Sequence, residues 1–189
     1  MINLSEDLLI GSGQERDCYL HPSNPSRCIK ISVRPPKKIR RAQQPRDKYY
    51  YQYLLKRDIS WLHLAKFYGS IETNLGEGLV FEVPRDSNGS ISNSLQHYIE
   101  KSLISQEELE LHLTKLREYI YKEAILVCDL APENILLNIK EEKKLIIIDG
   151  IGRRNFLKTS AHIKTLARTR LDNHWKRLLF RISELNVKA

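Results

Sequence analysis

Two short apolar runs in the second half of the chain, Ile135 to Asn138 and Leu145 to Ile148, are linked by the charged turn Lys140 to Lys144. Their length and their Ile and Leu content read as two strands. What flanks them constrains the fold most. Asp129-Leu130-Ala131-Pro132-Glu133-Asn134 follows the apolar run Ala124 to Val127 and leads into the first strand, and Asp149-Gly150 ends the second, fifteen residues after Asn134. An Asp five residues before an Asn on such a loop can set one group at a hydroxyl nucleophile and the other on a metal. A carboxylate at the end of a buried strand, followed by a permissive glycine, suits Mg²⁺. Taken singly, the same residues suit an Asx-turn with a helix-like PEN segment and an ordinary strand ending equally well.

The first third of the chain has the pattern of short strands. Leu8-Leu9-Ile10 runs into Gly11-Ser12-Gly13-Gln14-Glu15-Arg16, the start of a GxGxxG loop with Arg16 in place of the third glycine. Glycines there let the backbone approach a nucleotide's phosphates and offer amide donors, and they also suit a plain hairpin turn. Cys18 to Leu20 meets the turn signal His21 to Ser26, and Arg27 to Val33 alternates as a strand with Lys30 at its centre. Lys30 either points to solvent or faces inward, where it needs an anionic partner. A helical period spans about Arg46 to Arg57, with Tyr50, Tyr53 (or Leu54) and Arg57 on successive turns. Two more strands, Phe67 to Glu72 and Gly78 to Val83, precede a segment from Pro84 to Ser90 in which all periodicity stops. That break reads as a hinge between two lobes.

Beyond it, Ser105 and Glu108 fit a capping box at the start of a helix carrying Leu109, Leu113, Leu116 and Ile120. A last amphipathic helix is expected from about Ala161 to Leu185, with Ile163, Leu166, Leu171, Trp175, Leu178 and Ile182 on its apolar face and Lys164, Arg168, Arg177 and Arg181 among its basic residues. Charge separates the same two regions. Residues 1–150 hold 21 basic and 21 acidic side chains, so the whole net charge of +8 lies in the last 39 residues, from Arg153 to Lys188. Such a segment attracts anionic or phosphorylated partners, or is simply a solvated helix face. No nucleic-acid motif accompanies it, so nucleic acid is not the expected partner. No apolar run reaches the roughly 20 residues of a membrane helix. The first residues, MINLSEDLLIGSG, have neither a basic head nor a cleavable apolar core, and the three cysteines (Cys18, Cys28, Cys128) form no CxxC pair. The expectation is a cytoplasmic protein without a disulfide framework or a zinc finger.

Glycine loop, strand lysine, helix acid, proline-containing hinge, DxxxxN and apolar-DG stand in the order of the protein-kinase signature set. The chain resembles the protein-kinase-like superfamily: CDLAPENILL is similar to the catalytic loop HRDLKPENILL, and IIIDGIG to the strand and DFG segment. It resembles the PhoP regulatory network protein YrbL family more closely, through MINLSEDLLIGSGQERDCYLHPSNPSRCIKI, RDKYYYQYLLKRDISWLHLAKFYGSIET, APENILL and HWKRLL. The resemblance implies an α+β, protein-kinase-like two-lobe fold. Residues 1–83 would form a small antiparallel β N-lobe with one helix, residues 84–92 a hinge, and residues 93–189 a truncated, mostly helical C-lobe.

Residue by residue, the resemblance implies ATP and Mg²⁺ as cofactors. Gly11, Ser12 and Gly13 would cover the phosphates, and Lys30 would hold the α- and β-phosphates. Asp47 would pair with Lys30 where kinases carry Glu, and Glu82 and Val83 would lie beside the adenine. Asp129 would orient the acceptor hydroxyl and take its proton, and Asn134 and Asp149 would coordinate the metal. The departures are as specific. Val127 and Cys128 replace His and Arg of the catalytic loop, and Ala131 replaces the lysine that steadies the phosphoryl group. Gly150 (or Ile151, with one residue inserted) stands for Phe of DFG, Pro84 lacks an N–H, and no APE motif occurs in the 39 residues after Gly150. The implied function is a minimal ATP- and Mg²⁺-dependent phosphotransferase acting on a small molecule, an envelope sugar or itself rather than on a docked protein. The alternative is a pseudokinase, a nucleotide-binding or interaction module in a PhoP-linked stress response.

Overall fold

The computed structural model describes residues 1–33, 43–140, 142–152 and 163–188. They divide into two compact units: Met1–Ile59 with Ala65–Val83, and Ser60–Leu64 with Pro84–Ala189. A single cut after residue 83 therefore misses the crossing of Ser60–Leu64 into the second unit.

The first unit is a five-stranded antiparallel sheet with one helix. Strands β1 (Leu9–Ser12), β2 (Arg16–His21), β3 (Asn24–Ser32), β4 (Phe67–Thr73) and β5 (Gly76–Glu82) lie in the order β1-β2-β3-β5-β4. Side chains alternate between faces. Ile29 and Ile31 of β3 join Leu4, Tyr19 and Val80 in a core on one face. Gly78 permits this packing, since a Cβ there would stand 2.3 Å from Cγ2 of Ile29. Cys28 and Lys30 take the other face, where Cys28 is paired with Phe81 across the ladder. Phe81 packs with Tyr51 of helix α1 (Gln43–Lys56) at 4.8 Å between ring centroids. The buried stripe of α1 is Gln44, Asp47, Tyr50, Tyr51 and Leu54, at helical spacing. Of the expected series Tyr50, Tyr53 (or Leu54) and Arg57, Tyr50 and Leu54 lie on this face and Tyr53 and Arg57 outside it, and Gln44 and Asp47 bring polar groups to its start.

The second unit holds helices α2 (Leu95–Glu100), α3 (Gln106–Lys122) and α4 (Ile163–Lys188), with the antiparallel hairpin of β6 (Ile135–Asn138) and β7 (Lys144–Ile147). Helix α2, capped by Ser94, carries too few residues for a periodic signal and was not foreseen from the sequence. Ser105 caps α3 by accepting from the Glu108 N–H, but the reciprocal half of the expected box is not formed. The Glu108 carboxylate instead takes Lys143 at 2.7 Å, which holds it below the usual carboxylate range. Leu171, Trp175, Leu178 and Ile182 form the buried stripe of α4. The expected start near Ala161, the side chains of Ile163, Lys164 and Leu166, and Arg153, Arg154 and Lys158 lie outside the described residues.

Ser60–Leu64 joins this unit through specific bonds. Leu64 bridges Ile147 in parallel, the His63 ring bonds the Leu145 carbonyl at 2.7 Å, and Tyr119 donates to the Ser60 carbonyl at 2.5 Å. The segment after Pro84 is likewise a folded turn. Asp86 accepts from the Ser92 hydroxyl at 2.6 Å and from the Ile139 N–H at 2.7 Å. Among the described residues, no helix is long and apolar enough to cross a membrane.

Candidate active site

In the first unit the glycine loop is the turn of the β1–β2 hairpin. Gly13 donates its N–H to the Arg16 carbonyl at 2.8 Å, and a Cβ on Gly13 would stand 3.1 Å from the same oxygen. Ser12 donates its hydroxyl to Asp17 at 2.6 Å. The Gly13 amide is thus committed to closing its own turn. Lys30 is half-buried on the sheet face that α1 covers, its Nζ 5.2 Å from the Phe81 ring centroid. This resolves the choice left by alternation: the side chain follows the inner, helix-covered face.

Arg16, the residue at the third glycine position, has a structural reason to be there. Its Nη1 lies 2.9 Å from one oxygen of Asp47, and Arg46 Nε lies 2.9 Å from the other. Both Arg16 and Asp47 are buried. An Asp on the inner stripe of α1 needs a cation close at hand, and β2 supplies one. Beside Lys30, Cys18 and Cys28 lie diagonally across β2 and β3. Their hydrogen bond, together with burial, pushes the Cys28 thiol well above its ordinary range and keeps it protonated.

Glu82 and Val83 complete the sheet. The Glu82 N–H donates to the Lys66 carbonyl at 2.8 Å and the Val83 N–H to the Ser26 carbonyl at 2.9 Å. With Pro84 having no N–H, three consecutive backbone positions here hold no uncommitted amide donor.

In the second unit, the buried run Ala124 to Val127 leads into the segment Cys128 to Asn134. Cys128 and Asp129 donate their N–H groups to the Gly150 carbonyl at 2.8 and 3.0 Å, and Val127 bridges Ile151. Gly150 has φ +81°, and a Cβ on it would stand 1.9 Å from the Asp129 carbonyl oxygen. Only glycine allows this approach. Leu130 and Ala131 are buried, so Asp129 presents its carboxylate outward between apolar anchors, with 57% of the side chain exposed. The Ala131 methyl is fully enclosed.

Asn134 ends a 3-10 turn over Pro132–Asn134, and its carbonyl accepts the Ile148 N–H at 2.9 Å. The register Ile135 opposite Ile147 therefore sets Asn134 opposite Ile148, one residue from Asp149. Asp149 accepts the Gly150 N–H at 2.8 Å. The hairpin thus brings the backbones of Asn134 and Asp149 close, and the carboxamide and carboxylate oxygens they carry are hard donors of the kind Mg²⁺ takes. Arg181, one of the basic residues expected on the last helix, also reaches this loop. From α4 its Nη1 donates to the Asp129 carboxylate at 3.1 Å and to the Leu130 carbonyl at 3.4 Å. The only signal was the basic excess of the last 39 residues, which does not single out one arginine.

Comparison with known proteins gives the family and the fold type. The family model described as PhoP regulatory network protein YrbL matches residues 2–183. The YrbL proteins of Escherichia coli (strain K12) and Shigella flexneri are each 30% identical over 187 residues, covering 95% of this chain and 87% of the relative. Among solved structures, the Mycobacterium tuberculosis PknI kinase domain matches with a TM-score of 0.51 at 14% identity, and a mutant of it with 0.50 at 13%. The match covers 75% of this chain and 57% of the kinase domain, so the chain spans little more than half that domain's length. At this identity the likeness is one of fold: a β-rich first lobe and a helical second lobe of protein-kinase-like type.

Proposed function

The chain belongs to the PhoP regulatory network protein YrbL family, and from that premise we propose that it is a minimal kinase-like phosphotransferase, moving the γ-phosphoryl group of ATP to a hydroxyl acceptor. The observation that carries the reading is the cluster in the second unit. Support comes from the backbone: the Asp129 loop packs on Gly150, and the β6–β7 hairpin has Asn134 and Asp149 just beyond its two ends. Phosphoryl transfer asks little covalent chemistry of a protein and much positioning and charge neutralisation.

In this reading Asp129 orients the acceptor hydroxyl and takes its proton. Asn134 and Asp149 hold Mg²⁺, which when bound neutralises phosphate charge. Lys30 holds the α- and β-phosphates, with Gly11 to Gly13 over them and Glu82 and Val83 beside the base. Asp47 pairs with Lys30 and, through its bonds to Arg16 and Arg46, ties α1 to the sheet. Met1–Ile59 with Ala65–Val83 act as the N-lobe, and Ser60–Leu64 with Pro84–Ala189 as the C-lobe. A short second lobe suits a small molecule, an envelope sugar or the chain itself as acceptor, and Lys176 and Arg177, exposed on α4, suit an anionic one. Use of ATP and three free thiols fit a cytoplasmic setting.

A pseudokinase reading is favoured by different observations. The amides of Gly13 and Val83 are committed within the fold, and the loop has Ala131 for lysine. Thermal unfolding with Mg·ATP, Mg·ADP and Mg²⁺ alone, followed by turnover of Asp129→Asn, separates the two. The phosphotransferase reading expects a nucleotide shift that Asp149→Ala abolishes, worth about 2.7 kcal/mol at a ligand concentration 100 times Kd. It also expects turnover to fall by roughly 10²–10⁴ in Asp129→Asn with folding retained. Binding without turnover leaves a pseudokinase. No shift at millimolar nucleotide sinks both nucleotide readings.

A further inference from the structure

The Arg181–Asp129 pair makes poor sense as a stabilising contact. Its side chains are 42% and 57% exposed, and such surface pairs contribute about 0–1 kcal/mol. Helix α4 is seated without it, by Leu171, Trp175, Leu178 and Ile182. The geometry of the guanidinium is more telling. Nη1 makes both bonds, to the Asp129 carboxylate and to the Leu130 carbonyl, while Nη2 and Nε bond nothing among the described residues. Arginine has five N–H donors in a rigid fork, so this arrangement fixes the group at one nitrogen and leaves a donor edge beside the catalytic carboxylate. Buried Leu178 and Ile182 pin the helix on either side of Arg181, so the cation is positioned by packed structure rather than by a loose tail.

Chemistry supplies the reason for a cation there. Resting on the phosphotransferase reading above, the step is attack of an acceptor oxygen on the γ-phosphorus. The new O–P bond forms, the bond from γ-phosphorus to the bridging oxygen breaks, and its electron pair leaves with ADP. The hydroxyl proton goes to Asp129. Charge spread over the three equatorial oxygens needs donors aimed at it, and the loop itself provides only the enclosed methyl of Ala131. We propose that Arg181, from the C-terminal helix, is the cation that contacts the transferred phosphoryl group, with Nη1 orienting Asp129 and Nη2 and Nε bonding the phosphoryl oxygens.

The test uses the full chain with Mg·ATP and water as acceptor, so that the products are ADP and inorganic phosphate. Wild type, Arg181→Ala, Arg181→Lys and Arg168→Ala are compared, with circular dichroism confirming the fold of each. Arg181→Ala is expected to lower kcat by about 10²–10³ with KM for ATP within about threefold. Arg181→Lys should recover part of kcat, since charge returns without the fork, and Arg168→Ala, a charge loss elsewhere on α4 at an exposed residue against Tyr121, should match wild type. Wild-type turnover in Arg181→Ala overturns the proposal, and faster turnover overturns it in favour of a restraining contact on Asp129. A wild type that turns over no ATP fails at the underlying reading and takes this one with it; that outcome is distinct because it is seen before any variant is compared.

Discussion

Replacing Gly150 by alanine isolates the contact on which the candidate site is built. Two terms act on the variant. The backbone sits at φ +81°, where an L side chain is unfavourable by roughly 1–2 kcal/mol. The new Cβ also meets the Asp129 carbonyl oxygen at 1.9 Å and its carbon at 2.8 Å. Those are main-chain atoms, so relief requires moving the loop and weakening the bonds from the Cys128 and Asp129 N–H groups to Gly150, about 1 kcal/mol each. The sum is about 3–4 kcal/mol. Gly89→Ala is the matched control, because Gly89 has φ +84° and nothing within 4 Å of a built Cβ. It carries the backbone term alone, about 1–2 kcal/mol, and the entropy lost by the unfolded chain on Gly→Ala cancels between the variants. The expected gap is therefore about 2 kcal/mol, or a urea midpoint lower by about 1 M at an m-value near 2 kcal/mol/M. Tryptophan fluorescence reads it directly, since Trp61 and Trp175 both lie in the unit that holds Gly150 and Gly89. Equal midpoints for the two variants, or a lower one for Gly89→Ala, would refute the argument that the Asp129–Gly150 approach demands glycine.

In the first unit, Asp47→Ala removes the carboxylate that Arg16 and Arg46 share, and breaking a buried pair from one side should cost about 3 kcal/mol. Thermal unfolding of Asp47→Ala, Arg16→Met and the double variant should show a coupling of at least about 1 kcal/mol; additive losses would mean the pair is incidental. The pH dependence follows from His63 and His112, both buried and both held below the ordinary histidine range by desolvation. The unfolded chain then binds more protons near pH 6.5, so stability is full above that value and falls as pH drops through 6.5 towards the lower folded values. His112→Leu should make the fall shallower between pH 7.5 and 5.5, and an unchanged slope would exclude His112 as a source.

Local pattern determined much of this protein. Strand alternation around Lys30, the apolar runs either side of Lys140 to Lys144, the Ser105 cap and the stripe from Leu171 to Ile182 depend on neighbours a few residues apart. The order DxxxxN then apolar-DG is local for the same reason, because one short hairpin sets Asn134 opposite Ile148, one residue before Asp149. Other features were out of reach of any local period. Whether Asp47 faces in or out was settled by the meeting of α1 with β2, which brings Arg16 to its carboxylate at 2.9 Å. The crossing of Ser60–Leu64 into the second unit rests on bonds to Leu145 and Ile147, more than eighty residues away. Arg181 reaches Asp129 across 52 residues. The sequence marked the last helix as basic, but a solvated charge needs no partner and so leaves no pattern that picks one arginine from ten basic residues. Only the seating of α4 by its buried apolar stripe decides which cation stands at the carboxylate.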